Sequence, residues 1–556
     1  MTGSIRRIFF FVALVLVGGG SVQAAAIIND NEAVASQIQE AVEQAHDTGQ
    51  LSVLGREIAG IRLIPAFYTD RRFTPAWTDE ENINDLYQAI FRADQDGLDP
   101  NDFHLPVISL LLEAATETPL DAEAGASLDI LLTDSLARLV YQLYYGKVDP
   151  VSLDGNWNLK RKLFDSDPVG LLEQTLAGHE VGQLLEKMQS TLPSYTRLRE
   201  ELARYREIAA QGGWPVVPGG PSLKPGMTDP RVIVLRDRLG VSGGANADFF
   251  DSSLEQAVKD FQTRHGLDSD GVVGPATLRD LNKSVAERVD QIRVNMERLR
   301  WVSSERADLA GEFIIANIAG FTAYYFRDWK IAWQTKAMVG KPYRQSPVFT
   351  ALLSYVVINP TWTVPSGIKR RSIIPNAKKD PNYLNQNHFD LFDVNGKLVD
   401  PVSIDWENVN PRNFPYRVVQ RPGEDNALGR VKFIFPNGFS VYLHDTPHRE
   451  LFGETSRAFS SGCIRIENPF DLAEILLSDQ PQWSRENIDA VYAAGTTRTI
   501  HLSRKIPVYL LYLTAVQNFT DGELLFFPDV YNRDAAVLEA LDTPFSAAKP
   551  FSDGAS

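Results

Sequence analysis

The stretch HDTPHRELFGETSRAFSSGCIRI, positions 444–466, brings together two histidines and the only cysteine of a 556-residue chain. Cys463 has no second cysteine to pair with, and it follows Ser460, Ser461 and Gly462 rather than the apolar residues that pack a cysteine as a small hydrophobe. A thiol on a glycine-serine turn, two residues before Arg465, is placed to react as its thiolate. A nucleophilic thiol needs a base, N–H donors for the oxyanion of a tetrahedral intermediate, and a group that orients the base. His444 is the candidate base, the amides around Gly462 and Cys463 are the candidate oxyanion donors, and the main-chain carbonyl of Asp445 is the candidate orienting group. Tyr442, Arg465, Ser460, Ser461 and Trp362 are the candidate substrate-binding residues, with plain packing as the alternative for each. A metal site of His444, His448 and Cys463 is the rival reading. It lacks both helical i,i+4 histidines and a second thiolate, so neither a metal nor a cofactor is expected.

The elements that must hold these groups can be read around them. In NGFSVYLHD, 437–445, Phe439, Val441 and Leu443 alternate with Ser440, Tyr442 and His444. That period of two predicts a strand with His444 at its end, on the face turned away from the core. Asn468 and Pro469 have the residue types of an N-cap and first position, predicting a helix over 469–477. Beyond Leu309 short β-branched and aromatic runs predict paired strands. They are interrupted by a polar, Pro- and Asn-rich insertion at about 366–416, which predicts a lid over the site. Its cluster Lys369, Arg370 and Arg371 reads first as a solvated face.

The rest of the chain is modular, as its length requires. Arg6 and Arg7, an apolar run from Ile8 to Val17 and a small-residue end predict a signal peptide over 1–26, with an uncleaved anchor as the alternative. Export to the periplasm follows from it, and in an oxidising compartment a lone thiol is informative. Helical periodicity predicts a helical domain over 27–215. The Gly- and Pro-rich stretch 216–226 is a linker, and 227–283 predicts a three-helix unit. An amphipathic connecting helix lies within 284–308, with Val285, Val289, Ile292, Met296 and Leu299 in line. The β-rich domain spans 309–530, and 531–556 is expected to be a tail. The fold class is multidomain α+β. A net charge of −16 argues against nucleic acid as a partner.

Two resemblances join these parts. The three-helix unit, with its FQ pair, HGL turn, DGVVGPAT and closing LN, resembles the small peptidoglycan-binding domain, a structural spacer being the alternative. Residues from about 310 to 530 resemble the YkuD-type L,D-transpeptidase catalytic domain, whose signature is a histidine, 14 to 17 residues, then Ser/Thr-x-Gly-Cys. His444 leaves 15 residues before Ser460 and fits; His448 leaves 11 and does not. NPTWTVPSGI (359–368), RPGEDNALGRVKF (421–433) and PVYLLYLTAV (507–516) are similar to that family as well. So are FYTDRRFTPAWTDE, GLDPNDFHL and YYGKVDP to the helical scaffold of its long periplasmic members. The family often has histidine where this chain has Ser461. The resemblance implies a Cys463 thioester, 3→3 cross-linking of peptidoglycan stem peptides, and carbapenems as inhibitors. Other cell-wall synthesis proteins are candidate partners. An L,D-carboxypeptidase, a lipoprotein-attaching transpeptidase, and a non-catalytic wall-binding scaffold remain as alternatives.

Overall fold

The computed structural model describes residues 27, 30–159, 167–303 and 311–545. The expected signal peptide, 1–26, lies outside the described residues, as does the end of the expected tail.

The N-terminal domain is built around one helix, Ala122–Tyr145. Most of its residues are buried on every side, because the helices Asn31–Thr48, Leu63–Asp70, Glu80–Phe91, Leu105–Glu117 and Val181–Met188 all pack against it or against its neighbours. A helix surrounded in this way must satisfy its own polar groups, and it does. The Asp129 carboxylate accepts from the Tyr68 hydroxyl at 2.6 Å and from the main chain of Ala76 and Trp77. Asp134 accepts from Ala59 and Gly60 N–H, His104 Nε2 and Arg138.

The linker is irregular but strapped down: Asn282 bonds both main-chain groups of Val217, and Leu223 pairs with Val273. The helices Arg231–Leu239, Ser252–Arg264 and Pro275–Leu281 then form the small unit around Val232, Leu235, Leu254, Val258 and Phe261. Gln262 of the FQ pair holds the Asp270-Gly271 turn, accepting from Gly271 N–H and donating to the Val272 carbonyl. His265 and Phe261 stack at 3.8 Å, and His265 also stacks on Phe526 of the C-terminal domain.

The connecting helix, Val285–Ser303, differs from the amphipathic reading. Its apolar line is buried or half-buried, but Arg288, Glu297, Arg298 and Arg300 on its other sides are buried too. Each finds an acid or base: Arg288 pairs with Asp280, Arg300 with Glu297, and Arg298 with Asp534, all at 2.6 Å. Asp534 belongs to a helix, Asp534–Asp542, in the segment expected as a tail. Val537 and Leu541 are buried where that helix packs against the connecting helix.

The C-terminal domain is a nine-stranded sheet. Its order is Ala458–Ser460, Lys330–Gly340, Ile464–Ile466, Leu443–His444, Val431–Ile434, Phe349–Ile358, Arg498–Leu511, Glu312–Asn317 and Thr322–Arg327. The last strand pairs back onto Lys330–Gly340, which closes the sheet into a barrel and leaves the three-residue Ala458–Ser460 as its edge. The insertion is a folded subdomain rather than a polar loop. Trp362–Thr363, Arg417–Gln420, Phe389–Phe392 and Leu398–Val399 make a separate four-stranded sheet over Ile373, Ile374, Leu384, Leu391, Trp406 and Val418. Those apolar residues are spaced too widely along the chain to show a period. The subdomain leaves the barrel after Ile358 and re-enters at Val431, and these two residues are paired in neighbouring strands. It therefore rises from the rim beside Lys432 and His444.

Candidate active site

Strand register builds the site. His444 lies opposite Lys432 in one neighbouring strand and opposite Arg465 in the other, while Leu443 lies opposite Phe433 and Ile464. Opposed residues share a face of a sheet, as do residues two apart along a strand. Lys432, His444 and Arg465 thus form a row, with Tyr442 and Cys463 one step along the same face. Val431, Phe433, Leu443, Ile464 and Ile466 fill the buried core on the other. The Tyr442 ring centroid is 5.6 Å from that of His444, and Lys432 Nζ is 3.9 Å from the Tyr442 centroid. The Cys463 sulfur is half-buried and 3.7 Å from the Ser440 carbonyl, with the Tyr442 main-chain N–H and hydroxyl close enough to favour its thiolate.

The strand that carries the histidine is shorter than its alternation predicts. Ser440 takes a left-handed conformation, φ 55°, and the Asn437 side chain bonds Val441 N–H and two carbonyls, making a turn. Only Leu443–His444 is strand, and Phe439 is exposed against the Phe349 ring instead of in the core. His444 does face away from the core, yet it is 3% exposed, because its neighbours in the row cover it.

The thiol stands on a tied turn. Gly462 has φ 123°, a conformation that glycine adopts without strain, and a Cβ there would lie in ordinary contact with the Gln345 carbonyl, 3.7 Å away. The Ser460 hydroxyl accepts from Gly462 N–H at 3.0 Å and donates to the Cys463 carbonyl at 2.6 Å. Ser346 donates to the Gly462 carbonyl at 2.7 Å. Two expectations change here. The Gly462 N–H is already bonded, so it is not a free oxyanion donor, and Ser460 is buried within the turn rather than offered to substrate. The N–H groups left near the sulfur are those of Cys463, which meets no acceptor among the described residues, and Tyr442. Ser461 is exposed and accepts from Arg344 at 3.1 Å. Trp362 lies in the core of the insertion against Phe389. Lys369 is likewise internal to the insertion, donating to the Tyr416 carbonyl. The helix behind the turn runs Pro469–Leu476, but Asn468 caps it with a left-handed backbone and no side-chain bond.

Burial, followed by the charge of Arg465, pushes the His444 imidazole down to about 3; Lys432 adds to this and Asp445 opposes it. His444 is therefore neutral at neutral pH and able to accept a proton. Nδ1 has no partner at full hydrogen-bond distance among the described residues, although the Asp445 carbonyl is close enough to pull the pKa upward. Burial alone would raise the Asp445 carboxyl, but its bonds from Arg430 and Arg449 hold it below the usual range. It anchors the strand end and faces away from the imidazole. Burial pushes the Cys463 thiol up, opposed by the Tyr442 N–H, Lys432, Arg465 and the Tyr442 hydroxyl. Lys432 is the residue that sequence reading missed. A lone lysine between Val431 and Phe433 was a visible sign of a one-sided strand, but only register puts it beside His444. Ser346 and Arg344, more than a hundred residues from the turn they hold, carried no local signal.

A half-buried thiol that shares a sheet face with a neutral imidazole is an arrangement that nucleophilic catalysis can use. Family comparison makes it particular. Residues 311–499 match the L,D-transpeptidase catalytic domain, YkuD; 62–202 match a scaffold domain and 234–281 a peptidoglycan binding domain. The chain thus carries a YkuD-type L,D-transpeptidase catalytic domain together with a scaffold and a peptidoglycan-binding domain. It is 37% identical over 248 residues to a Haemophilus influenzae protein named "Putative L,D-transpeptidase", which covers 44% of this chain. The match spans about half, 48%, of that relative. Among solved structures, an L,D-transpeptidase from Xylanimonas cellulosilytica aligns over 53% of this chain and 98% of its own, at 14% identity and TM-score 0.16. A fused Zn-dependent amidase/peptidase/peptidoglycan-binding protein from Clostridium acetobutylicum aligns over 52% and 100%, at 13% and 0.13. At those scores neither structure bears on fold or function.

Proposed function

We propose that this chain is a peptidoglycan L,D-transpeptidase that forms 3→3 cross-links through a thioester on Cys463. The observation that carries the reading is the shared sheet face of Cys463, Tyr442 and His444, within a catalytic domain of that family. The Cys463 proton passes to His444 while sulfur bonds to the carbonyl carbon at the L-centre of a donor tetrapeptide stem. The Cys463 and Tyr442 N–H groups receive the oxyanion. As the intermediate collapses, the C–N bond to the terminal D-residue breaks, and the leaving amine takes the proton from the imidazolium. An acceptor side-chain amine then attacks the thioester carbon, the C–S bond breaks, and the amine's proton returns through His444 to sulfur. A neutral imidazole suits both transfers, and a low imidazolium pKa favours giving the proton onward.

The folded insertion acts as the lid, rising from the rim beside the row. Tyr442 and Arg465 line the donor site with Ser461 at its edge. The scaffold and three-helix unit bring the site to the wall in the periplasm. No described helix is long and apolar enough to cross a membrane.

Intact-mass analysis after incubation with a carbapenem tests the nucleophile. The expected result is one adduct on wild type and none on Cys463→Ala; an adduct on the alanine variant overturns the assignment. Muropeptide products from His444→Ala should fall by about 10²–10⁴-fold, the usual range for loss of a general base. Release of the D-residue without cross-links would instead identify a carboxypeptidase.

A further inference from the structure

The cations of the catalytic row lack the partners that buried cations have elsewhere in this molecule. Arg288, Arg298 and Arg300 each meet a carboxylate. Lys432 and Arg465, half-buried on either side of His444, make no ion pair or hydrogen bond with any described residue, and Arg465 Nε is buried and unpartnered. A cation withdrawn from water without an anion is unfavourable. In a chain with 71 acidic residues, no shortage of carboxylates explains it.

The groups facing the thiol name the missing anion. From the strands packed around it come Lys432, Tyr442, His444 and Arg465. On the strand Lys330–Gly340, Lys336 turns to the Phe452 carbonyl, and on the next loop Arg344 is engaged by Ser461. The Asp445 carboxylate points back to Arg430 and Arg449. Among these groups and the sulfur they surround, the thiol is the one that becomes an anion in the proposed reaction and has no assigned countercharge. Lys432 Nζ lies 3.9 Å from the Tyr442 ring centroid, and the Tyr442 hydroxyl is near enough to the sulfur for the two to interact.

We infer that Lys432 is the countercharge of the Cys463 thiolate, lowering the cost of removing the sulfur proton and holding the Tyr442 ring against the nucleophile. The burial that raises the thiol is then offset in part by a cation that no carboxylate neutralises. In this arrangement His444 carries protons during the reaction, while the standing positive field comes from Lys432, with Arg465 beside it. The inference rests on Cys463 being the nucleophile of the proposed reaction, but its test needs no peptidoglycan.

Cys463 is the only cysteine, so alkylation of the full chain by iodoacetamide reports on it alone. The rate is measured from pH 6 to 10 for wild type, Lys432→Met and Lys432→Arg, each checked for a native melting transition. The expected midpoint of Lys432→Met lies about one unit higher, with about tenfold slower alkylation at pH 7. Lys432→Arg keeps the wild-type midpoint. A Met variant that titrates like wild type, or an Arg variant shifted as far as Met, overturns the inference. If Lys432→Met does not fold, Lys432→Gln gives the same reading. Transpeptidation surviving in Cys463→Ala would remove the proposed function, whereas the alkylation midpoints would still decide for or against Lys432.

Discussion

The central helix of the scaffold and the catalytic row both bury ionisable groups, and they treat them in opposite ways. Around Asp129 and Asp134, every carboxylate oxygen is bonded by hydroxyl, amide, imidazole or guanidinium. In the row, among the described residues, Lys432 has no acid, Arg465 Nε no acceptor, and His444 Nδ1 no partner at hydrogen-bond distance. A satisfied network holds one arrangement rigidly. An unsatisfied one holds charge in readiness for a group that acquires the opposite charge, which is where perturbed pKa values and function coincide.

Breaking the satisfied network should have the largest effect on stability. Asp134→Ala strands Arg138 and His104, and urea unfolding should show a loss of about 3–5 kcal/mol. Lys432→Met removes an unpaired cation and should change stability by less than about 1 kcal/mol, the lost cation–π contact being roughly offset by the relieved desolvation. An equal loss in both variants would erase the contrast.

The nucleophile turn sharpens the comparison at shorter range. Ser460→Ala leaves the Gly462 N–H and the Cys463 carbonyl unpaired and should cost about 1–3 kcal/mol, together with acylation rate. Acid provides a third test. With its folded pKa near 3 and an ordinary value of 6.5, His444 is held neutral in the fold while the unfolded chain takes up a proton. Its stabilisation is complete above about pH 6.5 and falls by up to about 1.4 kcal/mol per pH unit as pH drops toward 3. His265, buried between aromatic rings and also near 3, follows the same course. Unfolding free energies at pH 7, 6 and 5 should show a shallower slope in His444→Gln than in wild type. The smallest effect belongs to Ser461→Ala: this exposed position should alter stability by less than about 0.5 kcal/mol, and acylation by a carbapenem reads any change at the site's edge.

Much of this was legible from local pattern. The helices of the small unit, the glycine-serine turn and the 15-residue spacing that separates His444 from His448 are short-range features. What was misread had distant partners. The connecting helix looked amphipathic because the carboxylate that meets Arg298 lies in a helix at 534–542. The insertion looked like loop because its core assembles from residues as far apart as Val364 and Val418. Gly462 was correctly seen as a backbone position, but the use of its N–H depended on how the Ser460 hydroxyl turned.

By itself the sequence determined the inventory: one thiol that cannot be lost to an internal disulfide, a glycine that frees the turn before it, and one histidine at the family's spacing. Only the tertiary structure decided their state. Burial and nearby charge set whether a thiol or an imidazole is ionised, and both act through space. The register that lays Lys432, His444 and Arg465 in one row comes from three separate strands, so no local pattern around Cys463 could reveal the field in which it sits.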